Sequence, residues 1–576
     1  MNSVVLALIG IAMILSGYVL YSKYLATNVY RLDPDYRTPA HTLEDGVDYV
    51  PTNKYVLWGH HFTSVAGAAP IVGPAIAVIW GWLPAFLWVT VGTVFFAGMH
   101  DLGALWASVR NKGQSIGALS GRYIGDRGRN LFLVVVFLLL LMVNAAFAVV
   151  IAGLLVDTPS AVIPTWGAIL VALLVGQAIY RFNWSLPTVS VVGVVALYTL
   201  IVLGDRVPVS LPDTVAGLPA NAVWIIILFG YAGIASMLPV WMLLQPRDYI
   251  NGLQLFLALG LLYASVLIAH PAVVAPAMNN AVPEGTPSIV PLLFVTIACG
   301  AVSGFHGMVS SGTTSKQLDK ETDARFVGYF GAVGEGLLAL GAIVATTAGF
   351  RTLAEWEEVY TEFGAGSVGA FVDGGARILD TGLGLPHSLS AIILATTAIL
   401  FAATTMDTGV RLQRFVVQEI AEIAGTRLSK GVATLIAVGV ALALTFGSGA
   451  DGSGGLLIWP LFGTTNQLLA ALTLSMLAIM LIRRRRTPLP ALIPLVVLAS
   501  MTIYALFIQL QTFWSDRNWL LLVLDVIILV AAVLVVVEAI GAMRAARHYT
   551  GDDDAEADAI ADEAVLGPGG DSSGGS

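Results

Sequence analysis

The chain has 576 residues, of which 57% are hydrophobic and only 11% are charged, with a mean hydropathy of +0.83. Soluble domains carry about 25% charged residues, so the composition excludes a soluble globular protein and indicates an all-α polytopic membrane protein. The net charge of −9 arises at the C-terminus: the residues after Thr550 hold eight of the 37 acids and no Lys or Arg, leaving 29 acids against 28 bases. The single cysteine, Cys299, excludes an intrachain disulfide and a cysteine-ligated zinc or iron–sulfur site.

Apolar runs long enough to cross a bilayer, about 18 residues or more, follow one another along most of the chain. The first, Val4–Leu25, is too long for the apolar part of a signal peptide and lacks a basic flank, so we interpret it as a membrane helix. We predict about fifteen membrane helices, near residues 4–25, 57–80, 83–108, 130–156, 162–181, 187–204, 221–243, 254–275, 290–312, 327–349, 388–406, 431–449, 456–482, 488–511 and 518–541.

The distribution of Lys and Arg gives the orientation. With the N-terminus outside, 24 of the 28 bases fall in inside segments, which are 23–56, 109–129, around 181, 244–253, 313–326, 407–430, 483–487 and 542 onward. This alternation predicts a multi-pass protein of the cytoplasmic membrane with a cytoplasmic C-terminus. The quartet Arg483–Arg486 then anchors a helix end rather than binding nucleic acid. The long outside connection from Arg351 to His387 has room for a re-entrant or surface helix.

Two of the predicted spans contain residues that break helices. "LWGHHFTSVAGAAPIVGPAIA" begins at Leu57, and "PLLFVTIACGAVSGFHGMVSSGTTSKQL" begins at Pro291; both are rich in Gly and carry a Gly–x–His element. Backbone breaks are tolerated in a membrane only where protein or water covers them. In the predicted topology the two spans run in opposite directions, a pattern typical of inverted-repeat transporters with two discontinuous helices around a central site. Glycine for close helix packing is the simpler alternative.

From these two spans we predict the substrate-binding residues, since freed backbone groups and half-helix ends bind ions and anionic groups. The set is His60, His61, Ser64, Gly67, Pro70, Gly73, Ser303, Gly304, His306, Ser310, Ser311 and Thr313.

Ionisable residues inside the predicted spans are candidates for proton coupling, because each costs about 2.5–3.5 kcal/mol on insertion scales. His100 and Asp101 are adjacent, and Glu335 lies between Gly334 and Gly336. Buried carboxyls and histidines take up and release protons near neutral pH. For Asp525, in "LLVLDVIILV", we instead expect a hydrogen bond to a neighbouring helix.

Two inside segments are rich in charge. Lys316 begins an alternation of charges, and Asp407 and Arg411 lie one turn apart on a helical face. These residues form either a salt-bridged collar or a gate that closes the site from the cytoplasm; both interpretations stay open.

Motifs for enzymatic chemistry are missing. The sequence contains no Walker-A loop, dinucleotide fingerprint, HExxH or GxSxG. The pair His60–His61 lacks the further converging ligands that a metal needs. We therefore predict no enzyme activity, no cofactor and no metal, and any pumping must use an ion gradient.

Five motifs together resemble the carbon starvation protein A family over about residues 5–480. They are "DGVDYVPTNKYVLWGHHFTSVAGAAPIVGPAIAVIWGWLPAFLW", "HDLGALWASVRNKGQSIG", "SGFHGMVSSGTTSKQLDKETDARFVGYFG", "TTMDTGVRLQRFVVQEI" and "LIWPLFGTTNQLLAA". The resemblance implies a secondary transporter of the amino acid–polyamine–cation superfamily, induced on carbon starvation, that imports short peptides or pyruvate with protons. It implies no residue-level site.

The resulting prediction has four parts. Residues 1–56 hold the first membrane helix and an inside loop, 57–482 the transporter core, 483–541 a C-terminal two-helix hairpin, and 542–576 an acidic disordered cytoplasmic tail. The partners are a small carboxylate or peptide, a coupling ion, which we take as the proton, and the lipid bilayer, without nucleic acid. A nutrient sensor and a passive channel are the alternatives. Peptide against pyruvate, proton against sodium, and the oligomeric state stay open.

Overall fold

A computed structural model describes residues 2–549, except residues 47, 240–241, 366, 448, 450–451 and 453–456. The acidic segment predicted to be disordered therefore lies almost entirely outside the described residues. Nearly all of the described chain is helical, and its only paired strands are the short hairpin of β1 (Thr214–Val215) and β2 (Leu218–Pro219).

The α-helices follow in chain order. The first half of the chain contains α1 (Ser3–Ser16), α2 (Ser22–Tyr24), α3 (Pro39–Thr42), α4 (Lys54–Ala66), α5 (Ala69–Ala77), α6 (Trp82–Gly92), α7 (Gly98–Val109), α8 (Ile116–Tyr123), α9 (Asp126–Asp157), α10 (Val162–Tyr180), α11 (Leu186–Arg206), α12 (Ala220–Met237) and α13 (Leu244–Ala269). The second half contains α14 (Ile289–Thr296), α15 (Gly304–Gly312), α16 (Phe330–Ala348), α17 (Leu353–Val359), α18 (Ser367–Leu383), α19 (His387–Ile423), α20 (Lys430–Phe446), α21 (Trp459–Arg483), α22 (Leu489–Ser515) and α23 (Trp519–Arg547).

Twelve continuous helical segments of the described chain are long and apolar enough to cross a membrane, and the bent pair α4–α5 makes thirteen. The predicted number of about fifteen is not confirmed. The three predicted segments that do not count as continuous spans are the two with helix breakers, near 57–80 and 290–312, and α20, which has 17 residues. Breaks and a short helix thus account for the difference.

Two helix boundaries differ from the prediction for the same reason. α13 begins at Leu244 rather than near 254, and α19 continues to Ile423 rather than ending near 406. In each helix the apolar run is interrupted by charged residues, Arg247 in α13 and Asp407 in α19, and these two side chains bond each other. A pairing between distant segments lets charged turns stay helical inside the protein. α23 likewise extends to Arg547, past the predicted boundary at 541.

The long outside connection is helical in two places. α17 and α18 occupy it, and α18 buries one face, with Phe371 and Leu379 among its buried residues, against α5, α13, α16 and α19. The membrane-length helices differ in burial: in its most apolar stretch α21 has 94% of its residues buried, whereas α11 has 22%. The residues around both breaks are buried as well, including all of α5 and nearly all of α15.

The segments predicted to lie inside meet at one end of the bundle. Arg110 lies 2.5 Å from Glu321, and the amide of Thr52 donates to the carbonyl of Gln317 over 3.0 Å. At the other end, segments predicted to lie outside meet, as where the amide of Trp82 donates to the carbonyl of Pro276 over 3.1 Å. This grouping agrees with the predicted alternation; which end faces the cytoplasm stays a prediction.

Candidate functional site between two broken helices

The first broken helix is interrupted at Gly67, between α4 and α5, and its two halves are bent by 44°. Gly67 has φ +55°, a conformation that side chains disfavour. A Cβ there would also lie 2.7 Å from Thr405 Oγ1 and 2.8 Å from a ring carbon of Phe147. Pro70 follows in the first turn of α5, where its fixed φ suits a helix start. The predicted discontinuity of this span is confirmed.

The second broken helix is interrupted over residues 297–303, between α14 and α15. Its exposed backbone groups are bonded by neighbouring helices, as membranes require. The Asn466 side chain on α21 accepts from the amide of Phe305 over 2.9 Å, and Thr93 donates to the carbonyl of Gly300 over 3.0 Å. Ser303 bonds Asn466 as well, over 3.2 Å. Asn466 thus caps α15, so the N-terminus of this half-helix is already occupied by protein.

The two breaks face each other. A Cβ on Gly73 in α5 would lie 2.5 Å from the carbonyl oxygen of Thr296 and 3.2 Å from Ile297 Cα. A Cβ on Gly300 would lie 3.5 Å from Pro70 Cα. Close backbone approach between the breaks therefore requires glycine at position 73. The predicted pair of discontinuous helices forms one structural unit; the inverted repeat itself stays a prediction.

A chain of acids and histidines lies beside this unit, and we call it the acid–histidine chain: His100, Asp101, His306 and Glu335. Asp101 on α7 bonds His100 Nδ1 through one oxygen and His306 Nδ1 through the other, each over 2.8 Å. Nε2 of His306, on α15, lies 3.1 Å from Glu335 on α16. All four side chains are at most 1% exposed. Three helices are thus linked through one histidine flanked by two carboxylates.

The two carboxylates of the acid–histidine chain have no Lys or Arg as ion-pair partner in the described part of the chain. Among the described residues, the ion-pair partners of Asp101 and Glu335 are histidines. Two ionised carboxylates buried without cations would be strongly unfavourable. The arrangement therefore favours bound protons on the imidazoles or on Glu335.

The same place also offers a potential metal-ligand set. Cys299, His306 and Glu335 each provide one ligand atom, and these atoms lie within 4.8 Å of one another. A sulfur, nitrogen and oxygen set suits zinc and related transition metals. Both nitrogens of His306 face carboxylates, and this arrangement suits a shared proton as well as it suits a metal ion. The absence of a bound metal therefore stays a prediction.

A second buried cluster surrounds Arg247, at the start of α13. Arg247 bonds Asp407 of α19 and lies 3.1 Å from Asp248, and Tyr231 of α12 donates to Asp407 over 3.0 Å. His60 of α4 bonds Asp248 through Nδ1 over 2.9 Å. We call Arg247, Asp248, Asp407, Tyr231 and His60 the arginine–aspartate cluster. It lies about two turns before the break at Gly67 along α4.

The predicted substrate residues fall into separate environments. His60 and Ser64 face Asp248, with Ser64 Oγ 3.3 Å away, whereas His61 bonds Thr314 over 2.9 Å. Ser311 accepts from the amide of Ile116 and so supports the start of α8. The remaining predicted residues lie at the two breaks or on α15: Gly67, Pro70, Gly73, Ser303, Gly304, His306, the buried Ser310, and Thr313, which bonds the carbonyl of Val309.

The predicted gate residues do not form one unit. Asp407 belongs to the arginine–aspartate cluster, while Arg411 donates to the carbonyls of Ala235 and Leu238 at the end of α12. Lys316 lies 5.4 Å from the centre of the Tyr49 ring. Arg411 therefore neutralises a helix C-terminus instead of pairing with Asp407. The expected bond from Asp525 to a neighbouring helix is wrong, since neither of its buried oxygens has a partner among the described residues.

Two clefts are lined mainly by segments predicted to lie on opposite sides of the membrane. The inner cleft, of about 660 Å³, is lined by the loop around Asn53, by the end of α10 and by Gln245. The outer cleft, of about 510 Å³, is lined by Arg351, Glu355, Asp373, Arg377 and His387, among others. The acid–histidine chain is buried, and so are Arg247, Asp248, Asp407 and His60 of the arginine–aspartate cluster, so these side chains are closed to solvent.

Ion pairs connect the charged side chains that line the outer cleft. Arg377 of α18 bonds Glu355 of α17 and lies 2.9 Å from Asp373, while Asp373 lies 3.2 Å from His387. The hydrogen bond from Arg377 lowers the pKa of Glu355, helped by the amide of Arg351. These contacts tie α17 to α18 at the edge of the cleft.

Four residues of the two clusters and the break were not predicted: Arg247, Asp248, Tyr231 and Asn466. Arg247 and Asp248 were assigned to an inside loop because they precede an apolar run. Asn466 lies in the "TTNQ" segment of an otherwise apolar helix, and a polar pair in such a helix is the signal that would have indicated it.

Membrane-length helices packed around two broken helices and a buried polar site are the features of a membrane transporter. The structure is similar to that of a manganese transporter from Eremococcus coleocola solved with an aromatic bis-isothiourea compound, with a TM-score of 0.51, 12% identity, and coverage of 88% of this chain and 99% of that one. At this identity the likeness concerns the fold alone. The chain belongs to the carbon starvation protein CstA family, whose model matches residues 2–355 and 350–505.

Curated relatives match most of the chain. The pyruvate/proton symporter BtsT of Escherichia coli K12 is 32% identical, covering 87% of this chain and 81% of its own length. The peptide transporter CstA of the same organism is 32% identical, covering 86% and 79%. The peptide transporter CstA of Bacillus subtilis 168 is 31% identical, covering 90% and 91%.

Proposed function

We propose that this protein is a secondary transporter, not an enzyme, that imports pyruvate or short peptides together with protons across the cytoplasmic membrane. The names of its relatives, which include a pyruvate/proton symporter and peptide transporters, support both substrates and the proton. The positive-inside pattern supports an outside N-terminus and a cytoplasmic C-terminus.

The observation that carries proton coupling is the acid–histidine chain. His306 on the half-helix α15 lies between Asp101 on α7 and Glu335 on α16. When protons occupy this chain, the imidazolium attracts both carboxylates and holds the three helices together. When the protons leave, the two carboxylates repel and the contacts of α15 weaken. Proton occupancy therefore sets the position of one half of a broken helix.

Movement of α15 reaches the other broken helix because α15 packs against α4, while the end of α14 meets α5 at Gly73. The site then opens to one cleft or the other as α15 changes position, which is alternating access at the level of these residues. The carboxylate group common to pyruvate and a peptide C-terminus first meets the protein at the break at Gly67, on its way to the inside. The N-terminus of α5 supplies a favourable partial charge there, because the N-terminus of α15 is occupied by Asn466.

The test measures accumulation of labelled pyruvate in proteoliposomes with an inward proton gradient. One pH unit is worth about 1.4 kcal/mol per proton, which supports about tenfold accumulation. We expect the wild type to accumulate pyruvate, and Asp101→Asn and Glu335→Gln to equilibrate it without accumulation. Asp525→Asn, a buried acid on α23 away from the site, is the matched control and keeps accumulation.

Uptake that ignores both the gradient and the two substitutions would contradict proton coupling. Saturable binding without flux would indicate the nutrient sensor, and flux without accumulation in the wild type would indicate the passive channel. Challenging pyruvate uptake with alanylalanine decides whether peptides share the site, because a shared site gives competitive inhibition.

A further inference from the structure

Arg247 is a buried guanidinium in a cluster that the proton mechanism does not use. Its side chain is 2% exposed, and its Nε has no hydrogen-bond partner among the described residues. The cluster contains one guanidinium and two carboxylates, Asp248 and Asp407. Arginine is the side chain best suited to bind carboxylates, since its planar group donates two parallel hydrogen bonds.

The two aspartates are held unequally. Asp248 receives three donors: Nη2 of Arg247 at 3.1 Å, Nδ1 of His60 at 2.9 Å and the hydroxyl of Ser64 at 3.3 Å. Asp407 bonds Arg247 and Tyr231 through Oδ2 alone, and its buried Oδ1 has no partner in the described part of the chain. Asp248 is therefore a fixed partner of Arg247, and Asp407 is the partner that a second carboxylate can replace.

We propose that Arg247 binds the carboxylate of the imported substrate, which takes the place of Asp407. This inference rests on the proposed function, whose substrates are monocarboxylates. The position suits it: Ser64, bonded to Asp248, lies one turn before the break at Gly67. On the other side Gln245, two residues before Arg247, lines the inner cleft. A carboxylate leaving the break toward the inner cleft passes Arg247.

The exchange also opens the inner end of the site. The bond between Arg247 and Asp407 joins α13 to α19 close in the chain to Gln245, which lines the inner cleft. When the substrate carboxylate binds Arg247, Asp407 is released from its ion pair. The released Asp407 has Arg411 one turn further along the same face of α19. The ion pair between Arg247 and Asp407 is thus replaced by one between Arg247 and the substrate carboxylate, and the contact between α13 and α19 loosens. An uncharged analogue forms no ion pair with Arg247 and therefore does not release Asp407.

The test measures equilibrium binding of labelled pyruvate and of alanylalanine to the purified full chain in nanodiscs. Arg247→Gln is compared with the double variant Arg247→Gln/Asp407→Asn, which removes both charges of the pair between α13 and α19 and leaves Asp248 its bonds to His60 and Ser64. Arg414→Gln is the matched control, because Arg414 is a buried arginine of α19 that bonds a backbone carbonyl.

We expect the double variant to fold, as its thermal unfolding shows, and to bind at least about tenfold more weakly, which corresponds to about 1.4 kcal/mol. Asp407→Asn alone binds as tightly as the wild type or more tightly, since the competing carboxylate is gone. Alanylalaninamide, which lacks the carboxylate, competes at least about tenfold less well than alanylalanine in the wild type. The double variant loses this preference, and Arg414→Gln keeps wild-type affinity.

Each other outcome overturns a specific claim. A folded double variant with wild-type affinity and preference refutes the role of Arg247, while gradient-driven accumulation by the wild type leaves the proposed function intact. Binding that depends on Arg247 in a wild type that does not accumulate substrate supports the site and refutes the proposed transport. A wild type that binds neither probe refutes both.

Discussion

Gly73→Ala inserts a methyl group at the contact between the two broken helices. The new Cβ would lie 2.5 Å from the carbonyl oxygen of Thr296 and 3.2 Å from Ile297 Cα. Both neighbours are backbone atoms, so no side-chain rotation relieves the contact. Reaching an ordinary separation of about 3.5 Å requires one segment to move by about 1 Å.

The expected magnitude follows from two opposing effects. Overpacking a well-packed interior costs about 1–3 kcal/mol, while replacing glycine by alanine within a helix returns up to about 1 kcal/mol. The net loss is about 0.5–2 kcal/mol of unfolding free energy. Transport suffers more, because a displacement of about 1 Å at a site can lower a rate by about 100-fold. We therefore expect a modest decrease in thermal stability and at least about a tenfold decrease in pyruvate uptake.

The control for Gly73→Ala is Gly153→Ala. Gly153 lies within α9, and a Cβ there would meet nothing within 4 Å. We expect this variant to keep or raise the unfolding temperature and to transport normally. Thermal unfolding of the purified protein and uptake in proteoliposomes are measured on both variants. Identical results for the two glycines would refute the close packing of the breaks.

Three further predictions concern the outer cleft, the metal and the cap of α15. Arg377 lowers the folded-state pKa of Glu355 below its ordinary value of 4.5. The contact therefore stabilises α17 above that pH, and this stabilisation is lost as the pH falls through the lowered pKa. Hydrogen exchange of α17 should accelerate in this acid range, and Glu355→Gln should remove the effect. Treatment with EDTA and the substitution Cys299→Ser should leave pyruvate uptake unchanged, whereas stoichiometric zinc in the purified protein and loss of uptake on chelation would establish a metal site. Asn466→Ala leaves the buried amide of Phe305 without its acceptor, so the unfolding free energy should fall by about 1–3 kcal/mol; an unchanged unfolding temperature would show that α15 needs no cap.

The local features of the site were predictable from the residues alone. The positions of both helix breaks followed from Gly and Pro within apolar runs, since lipid tolerates unbonded backbone only where protein covers it. Acids and histidines within spans were equally visible, because charges are rare there. Asp101 and Glu335 are predicted in this way as proton-coupling residues, His306 is predicted instead as a substrate-binding residue, and the structure brings the three into one chain.

The pairing of these groups was not predictable. Arg247 falls in a predicted inside loop because it precedes an apolar run, and only its bond to Asp407, 160 residues away, shows that it is buried within the helix bundle. His60 and His61 are neighbours in the chain, yet one bonds Asp248 and the other bonds Thr314. Successive residues of a helix point about 100° apart, so adjacent histidines must face different partners.

The residues alone indicate the kinds of local constraint: apolar spans, two interrupted helices and a few ionisable groups within spans. These are decided residue by residue, by the exclusion of water from lipid and by the geometry of Gly and Pro. Only the tertiary structure decided that the interruptions touch at Gly73, that Asn466 caps α15, and that Arg247 bonds Asp407. The choice of a partner for a buried charge depends on which helices pack together, and that information is spread over the whole chain.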